Sequence, residues 1–192
     1  MLKLPRLGKP SRSDAPVDIL IAPFGNTDLM RLDILREGLR QILTDMEVKV
    51  ADPVSIPENS FMASRNQFLA AQLLRNLLRM LPEDGQSRIL GVTDEDLFAP
   101  GLNFVFGQAF DRVAVISTRR LEPPQRSGNS KDILQLRMLK EAVHELGHTF
   151  GLKHCTEPFC VMYFSNSIVD TDLKKERFCR KCSTKVGMLA GR

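Results

Sequence analysis

The stretch HELGHTFGLKH, residues 144–154, is the part of the sequence that most directly indicates the local fold and the candidate site. It contains all three histidines of the 192-residue sequence and has the form H-E-x-x-H-x-x-G-x-x-H. On a helix, His144 and His148 stand four residues apart and therefore share one face. Leu146 and Phe150 fall on the opposite face. The stretch therefore predicts a helix with one face in the core and the histidine face on a cleft.

The three histidines predict a zinc site. Gly151 can adopt the left-handed conformation that ends a helix, after which the chain turns back and His154 can reach the same ion. Three imidazoles, from His144, His148 and His154, leave the fourth zinc position to water, as in catalytic sites. Glu145 lies about 100° around the helix from His144. There it can act as the general base on the zinc-bound water, in the hydrolysis of a peptide bond.

The four cysteines follow in two closely spaced pairs. Cys155 and Cys160 have four residues between them, and Cys179 and Cys182 have two. Two such pairs predict a closed, structural four-thiolate zinc site. Two disulfides are the alternative, which we disfavour because the N-terminus has no apolar run of signal-peptide length and cytosolic thiols stay reduced. The sequence thus predicts two zinc ions per chain and a cytoplasmic location.

Together these motifs resemble the archaemetzincin family of zinc metallopeptidases. The family pattern is H-E-x-x-H-x-x-G-x-x-H-C-x4-C-x-M, a gap of about 17 residues, then C-x-x-C. Here 16 residues separate Met162 from Cys179, a difference that a loop absorbs. The upstream segments PVDILIAPFGN, GVTDEDLFAPGLNFVFGQA and AVISTRRL also resemble the family.

The resemblance implies a role for each residue of the motif. Glu145 is the general base, the three histidines are the catalytic zinc ligands, and the four cysteines bind the structural zinc. Met162 forms the Met-turn, a hydrophobic base below the histidines. Tyr163 directly follows Met162, whereas the metal-approaching tyrosine of some related families stands two residues beyond, so that role is not carried over. The choice between endopeptidase and aminopeptidase stays open.

Hydrophobic periodicity predicts an α/β fold. Helical spacing predicts amphipathic helices at 29–43, 65–81 and 130–150, and apolar runs predict strands at 17–24, 46–56, 87–93, 103–109 and 111–121. The last two strands can form a hairpin. Its first part is a candidate cleft edge with which an extended peptide can pair as an added strand, and its residues are Asn103, Phe104, Val105, Phe106 and Gly107. An ordinary edge strand shielded by a loop is an equal alternative.

The resemblance places these elements in a metzincin-like fold. It implies a twisted mixed sheet whose edge strand lines the cleft, packed on helices that include the active-site helix. We expect a loose lead-in at 1–16 and a sheet-and-helix subdomain at 17–151. A small zinc-stabilised C-terminal subdomain with the Met-turn then covers 152–192, all within one catalytic domain.

Composition limits the possible partners. No apolar run reaches the length of about 18 residues that would indicate a transmembrane helix. The basic residues around the cysteines predict a solvated face rather than a nucleic-acid contact, and they are Lys174, Lys175, Arg177, Arg180, Lys181 and Lys185. We expect a monomer that acts on a peptide or protein.

Two other functions remain open from the residues alone. One is a non-catalytic zinc module that binds protein or nucleic acid, and the other is a zinc amidohydrolase of another substrate class. Glu145 argues against the first, because a pure binding module needs no carboxylate beside an open zinc site.

Overall fold

The computed structural model describes residues 17–124 and 129–189, so the predicted lead-in at 1–16 lies outside the described residues. The strands are β1 (Val17–Phe24), β2 (Met46–Val50), β3 (Phe61–Met62), β4 (Gln67–Leu69), β5 (Arg88–Thr93), β6 (Leu97–Phe98), β7 (Gly107–Phe110) and β8 (Val113–Ser117). The helices are α1 (Leu29–Ile42), α2 (Ala70–Leu78), α3 (Ser130–Thr149), α4 (Ile168–Leu173) and α5 (Arg180–Leu189).

The main sheet has the strand order β2-β1-β5-β8-β7. The first four strands run parallel, and β7 pairs antiparallel with β8 at the edge, as the predicted hairpin requires. A smaller sheet has the order β3-β4-β6. The mixed α/β architecture with a cleft-lining edge strand is confirmed.

Side chains alternate between the two faces of the sheet. Along β1, Ile19 and Ile21 join the core that α1 and α3 cover, whereas Ala22 and Phe24 join the core beneath α2. This alternation is the period-2 pattern of a strand that is buried on both faces. The three-layer arrangement fixes α3, with the histidine motif, against β7 and β8.

The predicted helix at 65–81 is shorter in the structure. Gln67–Leu69 forms β4, and helix α2 begins only at Ala70. Asn66 has a φ of +51°, which interrupts a helical path, and the backbone N–H of Phe68 donates to the carbonyl of Asp96. These contacts draw the start of the amphipathic segment into the small sheet.

Two C-terminal helices, α4 and α5, were not predicted. Ser167 and Asp170 form a capping box at the start of α4, and their spacing was a usable signal in the sequence. Cys160 and Met162 pack in the same core cluster as the sheet. The subdomain boundary after residue 151 stays a prediction. Within the described ranges, no helix has the length and apolar character needed to cross a membrane.

Candidate active site

Helix α3 carries the histidine motif in its last turns. Leu146 and Phe150 are buried in the core, as the periodicity predicts. Gly151 follows the helix with a φ of +77°, and its backbone N–H donates to the carbonyl of His148. Because Gly151 adopts this left-handed conformation at little steric cost, the chain reverses at once and brings His154 back toward the helix.

The three histidines converge on one point. A ligand nitrogen from each of His144, His148 and His154 lies within 4.8 Å of the others, and the Nε2 atoms of His144 and His148 are 3.1 Å apart. Nδ1 of His144 donates to the carbonyl of Val161 and Nδ1 of His148 to that of Leu152, both at 2.8 Å. Since a carbonyl can only accept, each Nε2 keeps its lone pair free for a metal.

Burial favours the neutral form of these imidazoles. It lowers the pKa of His148 and His154, and it lowers the pKa of His144 well below its ordinary value. The charge of Lys174 acts in the same direction on all three pKa values. Zinc binds neutral imidazole, so the trio fits the ion that the motif predicts.

Glu145 lies beside the trio and is only 6% exposed. Burial, and then the charge of Glu141, raises the pKa of Glu145 to about 8, while Lys174 opposes the rise. Gly107 of β7 approaches this side chain so closely that an added Cβ would lie 2.6 Å from Glu145 Cγ. The structure therefore places a buried carboxyl group beside both the histidines and the edge strand.

Met162 is fully buried against the active-site helix. A Cβ built on Gly147 would collide with Met162 Sδ. The sequence interpretation missed Gly147, which the motif treats as a variable position. A glycine inside a helix lowers stability by about 1 kcal/mol relative to alanine. A glycine kept at such a position therefore indicates a packing requirement, and this was the available signal in the sequence.

The four cysteines form a second cluster. One sulfur from each of Cys155, Cys160, Cys179 and Cys182 lies within 4.8 Å of the others, and the Sγ atoms of Cys155 and Cys179 are 3.8 Å apart. A tetrahedral zinc with Zn–S bonds of about 2.3 Å places its sulfurs about 3.8 Å apart. No disulfide occurs within the described residues. Burial raises the pKa of Cys160 and of Cys182, whereas the pKa of Cys179, despite its burial, is lowered by hydrogen bonds involving Cys182 and Cys160. A dication among the four sulfurs would stabilise all of them as thiolates.

A cleft of about 570 Å³ lies over the histidines, with Glu145 and residues 103–107 in its lining. The predicted strand at 103–109 begins too early, because of the five candidate cleft-edge residues only Gly107 belongs to β7. Arg65 donates to the carbonyls of Leu102 and Asn103, which holds this backbone in a loop. Asn103, Phe104, Val105 and Phe106 thus line the cleft from a loop.

The basic face predicted around the cysteines is wrong at one residue. Lys174 is 1% exposed and lines the cleft, with Nζ 2.9 Å from Glu141 Oε1. The other five basic residues, Lys175, Arg177, Arg180, Lys181 and Lys185, are exposed. The sequence gives no sign of this burial, because it depends on a contact with Glu141, on a helix distant in the sequence.

An imidazole trio and a buried carboxyl group in one cleft, with a methionine packed against the helix that carries them, define a zinc hydrolase of the metzincin class. The model of Peptidase family M54 matches residues 27–188. The chain therefore belongs to this family, the archaemetzincin zinc metallopeptidases, as the motifs predict.

Individual relatives agree over most of the chain. The archaemetzincin of Pyrococcus furiosus is 39% identical over 186 residues, 91% of this chain and 94% of that protein. The crystal structure of the Methanopyrus kandleri archaemetzincin matches with a TM-score of 0.81 at 37% identity, covering 97% of this chain and 100% of that one. The Archaeoglobus fulgidus archaemetzincin, complexed with malonate, matches with a TM-score of 0.75 at 37% identity, over 88% and 99% of the two chains.

Proposed function

We propose that this chain hydrolyses peptide bonds with Glu145 as the general base and that it holds two zinc ions. His144, His148 and His154 hold the catalytic ion, and the four cysteines hold the structural one. The single observation that carries this proposal is the pair of preformed ligand sets, each within 4.8 Å, with Glu145 beside only the histidine set.

The residues of the cleft have separate tasks. Zinc, when bound, supplies a Lewis acid that polarises the scissile carbonyl and makes water acidic enough to react at neutral pH. A carboxylate oxygen of Glu145 accepts the proton of the attacking water and passes it to the leaving amine nitrogen. Gly107 sets the position of this carboxylate, because only glycine leaves room for it.

The edge of the main sheet is the proposed docking site for the substrate backbone. β7 is the last strand in the sheet order, so its outer backbone groups have no strand partner within the described residues. An extended peptide can pair there as an added strand and hold its scissile carbonyl near the histidines. The strand proposed to pair with the substrate is therefore Gly107–Phe110. The monomeric state, the cytoplasmic location and the absence of a nucleic-acid partner stay predictions.

Digestion of a peptide library tests the proposal. We expect Glu145→Ala to bind the same zinc as the unaltered chain and to lose about 10²–10⁴-fold in cleavage rate, the usual size of a general acid–base contribution. Glu83→Ala, at an exposed glutamate far from the cleft lining, is the matched control and should cleave normally. Equal rates for all three proteins at equal zinc content would leave the chain as a zinc-binding module with a contaminating peptidase.

A further inference from the structure

Lys174 is a buried cation that the proposed mechanism does not use. It follows α4, its side chain is 0% exposed, and it lines the same cleft as His144 and Glu145. Lysine is almost never fully buried unless it is paired, because an ammonium ion loses strong hydration on burial. A lysine kept in this position needs a partner for its charge.

The ion pair with Glu141 accounts for only part of that charge. Lys174 Nζ is 2.9 Å from Glu141 Oε1, yet no acceptor within the described residues is aligned with it as a hydrogen bond requires. The same Glu141 oxygen accepts a hydrogen bond from Thr171 Oγ1 at 3.0 Å. An ammonium group has three N–H donors, so Lys174 retains donors for a ligand in the cleft.

Two other cleft residues have buried polar atoms without a partner in the described residues. They are Ser165, through Oγ, and Gln108 of β7, through Oε1. Buried polar atoms nearly always find a hydrogen-bond partner, so three atoms that lack one in the described part of the same cleft favour a polar ligand there. Ser165 can donate to an anion, as Lys174 can, whereas an amide oxygen on Gln108 suits a peptide N–H.

Two further cations lie near Lys174. Lys140 is buried and donates to the carbonyls of Thr171 and Asp172. Arg137 pairs with Asp172, and Glu176 pairs with Arg177. The cations Arg137, Lys140 and Lys174 therefore balance the carboxyl groups of Glu141, Glu145 and Asp172, and the donors left on Lys174, rather than a net charge, favour an anionic ligand.

We propose that Lys174 and Ser165 form a subsite that binds a carboxylate of the substrate. This inference rests on the proposed function, since it assumes that a peptide occupies the cleft. The carboxylate is either an acidic side chain near the scissile bond or the C-terminal carboxylate of a short peptide. Lys174 Nζ and Ser165 Oγ donate to it, and Phe164 supplies an apolar wall beside it. Lys174 is then a specificity-determining residue.

Matched peptidyl hydroxamates test the subsite by binding rather than by turnover. Each ligand binds zinc through its hydroxamate, and two pairs differ only in a carboxylate or a carboxamide. One pair carries the difference on the side chain and the other at the C-terminus. Calorimetry on the zinc-loaded chain should show carboxylate preferred by about tenfold or more in one pair, as for a charge-assisted hydrogen bond. The pair that shows it identifies the source of the carboxylate.

Two substitutions with opposite expected effects separate this role from a structural one. Lys174→Gln should abolish the carboxylate preference. Glu141→Gln should increase it, because it releases the ammonium group from its competing partner. Lys175→Gln, at the exposed neighbouring lysine, is the matched control and should keep the preference unchanged. If Lys174→Gln fails to fold, the comparison of Glu141→Gln with the unaltered chain decides alone, since that variant keeps Lys174.

The outcomes distinguish the inference from the proposed function. Equal binding of carboxylate and carboxamide ligands in both pairs overturns the subsite but leaves a working zinc cleft. A preference that Glu141→Gln fails to increase, or that Lys174→Gln fails to remove, also overturns it. Failure of every hydroxamate to bind the zinc-loaded chain overturns both the subsite and the proposed function.

Discussion

The histidine cluster and the cysteine cluster meet at one peptide bond, between His154 and Cys155, yet their surroundings differ. The histidines line an open cleft, and the carbonyls of Val161 and Leu152 orient two of them. The cysteines face one another, and backbone N–H groups point at their sulfurs. Three ligands leave one position of a tetrahedral zinc ion open for chemistry, whereas four sulfurs occupy every position.

The supports of the two clusters differ as well. His144 and His148 stand on a long helix whose apolar face is anchored in the main core. Cys155 and Cys160 lie on irregular chain after that helix, and Cys179 directly precedes the short helix α5. A segment with so little regular structure gains much of its folding free energy from a bound metal. We therefore expect metal loss to impair activity at the first cluster and the fold at the second.

The largest expected effect is that of Cys179→Ser. Loss of one thiolate weakens the structural site, and the melting temperature should fall by about 10 °C, on the order of 3 kcal/mol. Affinity for the catalytic zinc should fall too, because Cys155 fixes the position of His154. Calorimetric melting with metal analysis measures both, and Ser183→Ala, at an exposed neighbour, is the control. Unchanged melting and zinc content would show that the cysteines are not metal ligands.

Mild chelation should separate the two clusters. A weak chelator should remove one zinc ion and all hydrolysis while the melting temperature changes little, because three imidazoles leave one zinc position open whereas four thiolates complete the coordination of the other ion. Native mass spectrometry counts the ions before and after treatment. A single ion in the unchelated protein, or simultaneous loss of two, would contradict two sites of unequal affinity.

Gly147→Ala should have a smaller effect, on the support below the histidines. The new methyl group meets Met162, and overpacking of this kind costs about 1–3 kcal/mol. Gly187→Ala is the matched control in another helix, where nothing described lies within 4 Å of the added Cβ. That control should gain up to about 1 kcal/mol from helix propensity. If the melting temperatures of both variants change in the same direction, Met162 does not support the active-site helix as described.

The sequence predicted the parts of the site that local rules govern. The spacing of His144 and His148 places them on one helix face, and Gly151 has the left-handed conformation that a helix-ending glycine can adopt. The alternation along β1 follows the same kind of rule. These features follow from the geometry of a single helix or strand, so they can be predicted without knowledge of the tertiary contacts.

The features that the sequence did not predict depend on long-range contacts. Arg65 donates to the carbonyls of Leu102 and Asn103, and Val105 pairs with Leu97 of β6, whereas β7 begins only at Gly107. In the sequence, Lys174 belongs to a basic run that predicts a solvated face. In the structure, it pairs with Glu141, 33 positions earlier in the sequence. No periodicity encodes such a contact, since it depends on how the C-terminal helices dock.

The smallest and most local expected effect is that of Gly107→Ala, where the edge strand meets Glu145. The added Cβ would lie 2.9 Å from both Glu145 Oε1 and the backbone oxygen of Val115. The strand backbone is held by its pairing with β8, so the side chain of Glu145 is the part that moves. A displacement of about 1 Å in a reacting group can cost about 10²-fold in rate. We expect kcat to fall on that order while zinc content and KM stay close to their original values. Gly187→Ala serves again as the control. A lower melting temperature with unchanged kcat would show that Gly107 serves the packing of the sheet and leaves the general base in place.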